Sequence, residues 1–481
     1  MSHPDMRGYL MALEQHGLLR RISQRVDRGR DIGCLVKWMY QARPIEQRFG
    51  LRFDQVAGAT MPVVTSALGA NTASVALALQ CEPDAINATL TAALQQPVKP
   101  RVVDAAPCQE ISLAGDEADL DRLPIVTWTP GKDRAPYLTT IVVTRDHDSG
   151  RQNMGVYRTM VRDRHSVVIN LAPGRQGFRN VKTWTDKGKT APIAWVIGAP
   201  PAVHLATVAN LPYGDDEIEL AGALMGAPIE IVRCRTHDLV VPARAEIIVE
   251  GEIRPGELDD EGPFGEFAGF MGLVERRPVG RINAITHRRD PVFYGLSSQM
   301  PPSESTTIQS LVNAGVLLHT LRDRLGEHAV RDLFIDETYG GLLAHGLVAM
   351  TPQHPGHAKH IGRLVADISS LKRVTVVDPD VDIRDPSHVD WALNARFSPR
   401  RDTIFIDDVH VPVQMDPSVR DARGEVAPSS KMILDATQKF DAGPSSLPAR
   451  EHMMAALPLW SEAGLPALEI PLRLALRLER A

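Results

Sequence analysis

The segment DDEGPFGEFAGF, residues 259–270, sets Glu261 and Glu266 on either side of Gly262-Pro263-Phe264-Gly265. Helices and strands rarely hold Gly-Pro-Phe-Gly, so this is a shaped loop. A loop this apolar can shield a carboxylate from water and raise its pKa, as a general acid working at neutral pH requires. A tight turn bearing two solvated glutamates accounts for the same letters.

A second stretch, GRQNMGVYR (residues 150–158), puts Asn153 and Arg158 five apart near a strand. The pair offers one oxygen ligand and one fixed cation, and a guanidinium holds a carboxylate through two parallel hydrogen bonds. A surface strand is the plain alternative. In ANLPYGDDEIELAGALMGAP, the acidic residues Asp215, Asp216, Glu217 and Glu219 precede a helix of small residues. A helix N-terminus welcomes carboxylates; a hard-cation site built from carboxylate and carbonyl oxygens is the sharper reading.

Other signatures fail. Gly188-Lys189-Thr190 resembles the end of a phosphate-binding loop, but Thr183 stands where its first glycine belongs. GLSSQ, from Gly295, lacks the closing glycine of a nucleophile elbow. Asp378, Asp380 and Asp382 imitate a calcium loop with Ile383 in the glycine position, and suit a strand end running into a solvated turn. His354, His357 and His360 are three apart, yet no further zinc ligand lies near them, so an exposed helix start is expected. No GxGxxG follows a strand.

These residues need elements to hold them. The opening MRGYLMALEQHGLLRRI is an amphipathic helix, and strands and helices alternate to about residue 100. Between about 106 and 310, short β-branched runs recur (TTIVVTRD, SVVINLA, IAWVIGA, IEIVRC, AEIIVEGEI, GRINAITHR, PVFYGLS), which predicts an antiparallel sheet or barrel. After Ser303, helices and strands alternate again, which predicts a parallel sheet. The expected domains are therefore 1–105, 106–310 and 311–481.

The chain has 481 residues, 53 Lys and Arg against 59 Asp and Glu, and a formal charge of −6. It is 43% hydrophobic and can bury a large core. The charge and the lack of a dense basic run argue against nucleic acid as a partner. Four separated cysteines (Cys34, Cys81, Cys108, Cys234) fit a reducing compartment. The most apolar stretch, Ala191 to Pro212, carries four prolines and His204 and is read as a buried strand followed by a Pro-started helix, not a membrane span. A cytoplasmic location is expected.

Taken together, MRGYLMALEQHGLLRRI, NMGVYR, LAGALMGAPIEIVRCRTHDLVVPARAEIIVEG, EGPFGEFAGF, ITHRRDPVFYGLSSQMPPSE and SSKMILDATQKF resemble, in order and spacing, the UbiD family of decarboxylases over nearly the whole chain. The resemblance implies a mixed α/β and β fold. An N-terminal α/β domain would precede a central split β-barrel like that of flavin reductases, and a C-terminal α/β domain would follow. It implies prenylated FMN as cofactor, a divalent metal (manganese or magnesium) on its phosphate, and K+ nearby. It also implies dependence on a flavin prenyltransferase, and a homodimer or homohexamer. The reaction would be reversible decarboxylation of an α,β-unsaturated, aromatic or heteroaromatic acid.

Carried onto this sequence, Arg158, Glu261 and Glu266 match the family's catalytic network, with Glu266 as proton donor. Asn153, Met154, Val156, Arg158, Gln176, Leu211, Pro212 and Glu217 match its cofactor-contacting positions, and Asn153, Gln176 and Glu217 its metal ligands. The family usually has a loop of the type PGRH; here it is Pro173-Gly174-Arg175-Gln176, a neutral carboxamide in place of an imidazole. By the same analogy TTIQ, residues 306–309, lines the substrate pocket with Ile308 and Gln309 but no histidine, which leans away from a polyhydroxybenzoate. Two other classes fit the same motifs: an FMN-dependent oxidoreductase, and a non-catalytic subunit of a multi-component carboxylase. Lys431 and Arg396 are candidate phosphate or interface cations or plain surface charges. The leucine-rich tail PLRLALRLERA docks on a neighbouring subunit or closes its own domain.

Overall fold

The computed structural model describes residues 3–212, 215–339, 344–411, 416–420, 425–441, 443 and 445–478. The chain divides into two compact units, one built mainly from residues up to Val316 and the other mainly from residues 317 onward.

In the first unit, strands β1 (Leu19–Val26), β2 (Gly50–Val56) and β3 (Val63–Thr65) form a small sheet. Its fourth strand, Phe293–Tyr294, arrives from far along the chain and pairs with β3 in parallel. Glu304 reinforces the junction: its fully buried carboxylate accepts hydrogen bonds from the backbone N–H groups of Ser66 (2.8 Å), Leu68 (3.0 Å) and Ser297 (3.0 Å) and from the Tyr294 hydroxyl (2.5 Å). Four donors on one carboxylate offset much of the cost of burying it.

Five of the seven β-branched runs of the middle region form the expected barrel, while IEIVRC pairs in a separate three-stranded sheet and PVFYGLS supplies the strand Phe293–Tyr294 of the first sheet. Strands β4 (Tyr137–Arg145), β5 (Gln152–Asp163), β6 (Ser166–Ile169), β7 (Ala191–Ile197), β8 (Ile247–Glu261) and β9 (Glu275–His287) pair antiparallel in the order β8-β7-β4-β5-β6-β9, and β8 pairs with β9 to close the ring. Successive side chains leave a strand on opposite faces. Ile193, Trp195 and Ile197 of β7 accordingly join one hydrophobic core while Ala194 and Val196 join another. The Trp195 indole N–H crosses the interior to the Thr159 hydroxyl of β5 (3.0 Å). Thr159 therefore faces in, and Met154, Val156 and Arg158 share the outer face. The helix Gln176–Thr185 packs its Val181 into the first of these cores. No helix among the described residues is long and apolar enough to cross a membrane.

The second unit corrects one expectation. Its five-stranded sheet is parallel only at the centre, where Arg373–Val377 lies between His345–Met350 and Ser429–Asp435; the two outer strands, Val330–Ile335 and Thr403–Val409, are antiparallel to their neighbours. Fewer than a dozen residues separate Val330–Ile335 from His345–Met350, too few for the crossover that parallel pairing needs. The Asp378 and Asp380 side chains are not in a solvated turn: they lie buried against Arg396, which donates to Asp378 Oδ2 at 2.8 Å and to the two Asp380 oxygens at 2.8 and 2.6 Å. That triad removes Arg396 from the candidate phosphate cations. Lys431 is likewise internal, donating to the carbonyls of Ala366 and Ser369 (2.6 Å to the latter) at the C-terminal end of the helix His357–Ile368, where a cation complements unpaired carbonyls. The leucine-rich tail forms a helix, Leu472–Leu478, held on its own unit by Arg473 on Asp385 (3.0 Å) and Arg477 over the Trp391 ring (4.6 Å); residues 479–481 of that segment lie outside the described residues.

Candidate active site

Arg158 sits near the middle of β5, paired with Thr139 of β4. Glu261 is the last residue of β8, paired with Glu275 of β9. The barrel thus brings side chains 103 residues apart onto one surface. Arg158 Nε and Nη2 donate to the two Glu261 oxygens at 3.0 and 2.8 Å, a bidentate pair that is almost wholly out of solvent. Its remaining arm, Nη1, donates to Glu266 Oε1. The guanidinium carbon lies 5.2 Å from the centre of the Phe264 ring, which in turn packs against Tyr137 at 4.3 Å.

The loop that carries Glu266 is closed by its own backbone. Glu266 N donates to Phe270 O (2.8 Å), Gly269 N to Glu266 O (3.0 Å) and Gly272 N to Phe264 O (2.8 Å). Gly262 enters the loop at φ +101°, where a Cβ would meet Leu273 O at 2.7 Å, so this position needs glycine. Gly272 leaves room of another kind: a Cβ there would sit 2.7 Å from Glu266 Oε1. The reading of two solvated glutamates fails, because Glu261 is fully buried and the Glu266 side chain is only 15% exposed.

Burial sets the electrostatics. Desolvation raises the Glu266 carboxyl above its ordinary value, and the charge and hydrogen bond of Arg158 only partly oppose it. Against desolvation that disfavours its charge, Arg158 is held well above the ordinary arginine value by Glu266 and Glu261. The buried Tyr137 hydroxyl is pushed up by desolvation and by the neighbouring Glu261 charge. Oε2 of Glu266 carries no hydrogen bond among the described residues, so the acid has one oxygen tethered and one free.

A second group lies at the start of the same strand. Glu217 opens the helix Glu217–Met225, whose N-cap is Asp216 (Oδ1 to Ile218 N, 2.9 Å). Asp216 fills the ordinary capping role, and the Glu217 carboxylate turns to β5, accepting from Asn153 Nδ2 and Met154 N, both at 3.4 Å. Burial pushes Glu217 up to about 7. Tyr157 links this pair to the PGRQ loop: its hydroxyl donates to Asn153 Oδ1 (3.5 Å) and accepts from Gly177 N (3.0 Å), the residue after Gln176. Gln176 is the first residue of its helix, and Arg175, at the cap, gives no side-chain cap bond. Leu211 and Pro212 precede the acidic turn; Leu211 packs against both cores and Pro212 is exposed. Met154 is buried, Val156 half-buried. The structure therefore gathers the predicted residues into two groups, Arg158–Glu261–Glu266 and Asn153–Glu217 with the Gln176 turn. Ile308 is fully buried in the first core.

A buried carboxylate with only two long hydrogen bonds is loosely satisfied, and a carboxylate beside a carboxamide suits a hard divalent cation. The residues present fit such an ion. The histidine cluster does not: His357 is buried and contacts Glu327 through Nε2 at 3.3 Å, with His360 reaching the other Glu327 oxygen at 3.4 Å. Sequence reasoning missed Tyr157, although it lies inside NMGVYR. It also missed Asp133, whose carboxyl accepts from Thr129 N at 2.6 Å and is pushed up to about 6 by desolvation.

The chain matches family profiles described as the 3-octaprenyl-4-hydroxybenzoate carboxy-lyase N-terminal domain over residues 10–94, the Rift-related domain over 101–301 and the C-terminal domain over 306–436. Among solved structures it resembles an evolved dimeric form of the UbiD-class enzyme HmfF from Pelotomaculum thermopropionicum in complex with prFMN, at 32% identity and a TM-score of 0.81, covering 93% of this chain and 97% of that one. It also resembles the vanillic acid decarboxylase of Sedimentibacter hydroxybenzoicus in closed form, at 28% identity and a TM-score of 0.83, covering 96% of this chain and 100% of the other. With matches to all three domains around a barrel that carries the Arg158–Glu261–Glu266 cluster, the chain belongs to the UbiD family of carboxy-lyases.

Proposed function

We propose that the protein catalyses the reversible, non-oxidative decarboxylation of an α,β-unsaturated, aromatic or heteroaromatic carboxylic acid, with prenylated FMN as cofactor and Glu266 as proton donor. The observation that carries this reading is the buried guanidinium of Arg158 shared between a bidentate Glu261 and a desolvated Glu266. Decarboxylation at an sp² carbon leaves an electron pair in an orbital that the substrate's own π-system cannot delocalise, and prenylated FMN, when bound, supplies the electron sink.

The protein's own residues do the rest. Glu261, fixed by two hydrogen bonds, locks the Arg158 plane, and the locked guanidinium presents one arm to Glu266. Burial keeps Glu266 protonated to higher pH than a solvated glutamate, so it can deliver a proton to the carbon that loses carbon dioxide. Asn153, Gln176 and Glu217 would hold manganese or magnesium at the cofactor's phosphate end, with K+ close by. Asn153, near the start of β5, and Arg158, near its middle, lie about 17 Å apart along the strand and would both contact the cofactor. By family analogy TTIQ, residues 306–309, offers no histidine to pair with a phenol, which favours a heteroaromatic or unsaturated acid. A cytoplasmic homo-oligomer, a dimer or hexamer supplied with cofactor by a flavin prenyltransferase, completes the proposal.

The test is Glu266→Gln on cofactor-loaded protein. The variant should retain the cofactor by mass and visible spectrum yet release no carbon dioxide above background from a panel of aromatic and unsaturated acids that the unaltered protein turns over. Turnover like that of the parent would overturn the role given to Glu266. A copurified flavin with the mass of plain FMN, inactive on every acid, would overturn the cofactor.

A further inference from the structure

Apart from the Arg158–Glu261–Glu266 cluster, the turn after the short strand Glu230–Arg233 brings Cys234, His237 and Glu250 together, with ligand atoms of all three within 4.8 Å of one another. Glu250 lies on β8, eleven residues before Glu261. We infer that these three side chains form a second metal site, for zinc or a chemically similar divalent ion, that staples the 234–239 turn to the barrel.

The histidine is the sharpest witness. Its Nε2 lies 3.1 Å from the carbonyl of Ile193. A carbonyl only accepts, so Nε2 carries the proton and Nδ1 keeps its lone pair. That Nδ1 is buried and has no hydrogen-bond partner among the described residues. Orientation of one ring nitrogen by a backbone carbonyl, leaving the other bare, is how metal-ligating imidazoles are held.

Glu250 adds an oxygen. It is fully buried and accepts from Arg235 N (2.8 Å) on one oxygen, and from Thr236 N and Oγ1 (both 2.7 Å) on the other. Three donors fill three of roughly four lone-pair positions, so one remains. A purely structural carboxylate that caps this turn explains those three bonds but leaves the bare His237 nitrogen unexplained.

Cys234 supplies sulfur. Its backbone N–H donates to Leu239 O (2.8 Å), closing the turn, and its thiol sits in the apolar core that also holds Cys108. The spacing Cys-x-x-His is short enough for one turn to present both ligands. Sulfur, imidazole and carboxylate together suit zinc, in contrast to the all-oxygen set at Asn153 and Glu217. Binding would expel the thiol proton to solvent. A water entering beside the half-buried His237 ring would complete four-coordination.

Cobalt(II) separates the two sites, because only a thiolate ligand gives an intense near-ultraviolet charge-transfer band. Full-length protein carrying Cys34→Ser and Cys81→Ser, stripped of metal and then titrated with Co2+, should develop that band at one equivalent and lose it on adding Zn2+. Cys234→Ser should abolish the band, and His237→Ala, a change at a half-buried position that spares the core, should weaken Co2+ at least tenfold. Absence of the band at excess Co2+, its survival in Cys234→Ser, or unchanged affinity in His237→Ala would overturn the site.

Discussion

Gly272→Ala tests whether the placement of the Glu266 carboxylate matters. A Cβ at residue 272 falls 2.7 Å from Glu266 Oε1 and 3.3 Å from Phe264 O. Ordinary contact begins at 3.4 Å, so the carboxylate must retreat by about 0.7 Å, while the backbone carbonyl needs to give only about a tenth of an ångström. The atom that yields is the far end of a flexible side chain, and Gly272 has no positive φ, so folding is nearly untouched. Oε1 is the oxygen that Arg158 Nη1 holds. Displacing a catalytic group by close to 1 Å costs on the order of 10²-fold. The expected result is kcat reduced about 10- to 100-fold in a carbon dioxide release assay, with the thermal midpoint within about 2 °C of the parent. A kcat within about twofold of the parent would show that the acid does not act from this position.

Gly262→Ala should do the reverse. Its φ of +101° and the Leu273 carbonyl at 2.7 Å are backbone constraints that no side-chain movement relieves, so a loss of about 1–3 kcal/mol in thermal or urea unfolding is expected, and an unchanged midpoint would contradict the strain. Glu261→Gln removes a negative charge that raises the Glu266 pKa and leaves more of Arg158 to lower it; the alkaline limb of the kcat–pH profile should move to lower pH, and movement to higher pH would refute the assignment. Arg396→Met leaves the buried Asp378 and Asp380 without their cation, for a loss of about 3–5 kcal/mol in urea unfolding; a loss under about 1 kcal/mol would mean the triad contributes little.

Much of the architecture could be read from sequence because β-branched runs punctuated by Gly and Pro leave few alternatives to an antiparallel barrel. The glutamates flanking Gly-Pro-Phe-Gly were legible for the same local reason. What stayed hidden depends on partners distant in the chain. The strand Phe293–Tyr294 pairs with a strand some 230 residues earlier, and its two residues carry no periodicity. Asp378 and Asp380 have the look of a solvated turn until Arg396 is placed over them. Cys234 and His237 form a spacing too short to weigh until Glu250 arrives from another strand.

Net charge gives no hint of how a protein of formal charge −6 admits an anionic acid, but the local count does. Arg158 is a single cation. With Glu261 and Glu266 both ionised, the cluster is net negative and repels a carboxylate; with Glu266 protonated, it is neutral and one arm of the guanidinium is freed from an ion pair. The raised pKa of Glu266 therefore serves twice, storing the proton that the product carbon needs and lowering the repulsion that the substrate meets. The same shift has a stability cost with a definite sign. A carboxyl whose folded pKa lies above its ordinary 4.5 contributes stability that is present below 4.5 and lost as pH rises through the folded value. At neutral pH the fold thus bears part of the desolvation of Glu266, and Glu266→Gln, which cannot ionise, should unfold later than the parent on the alkaline side while releasing no carbon dioxide. A site built for stability would have left that glutamate in water.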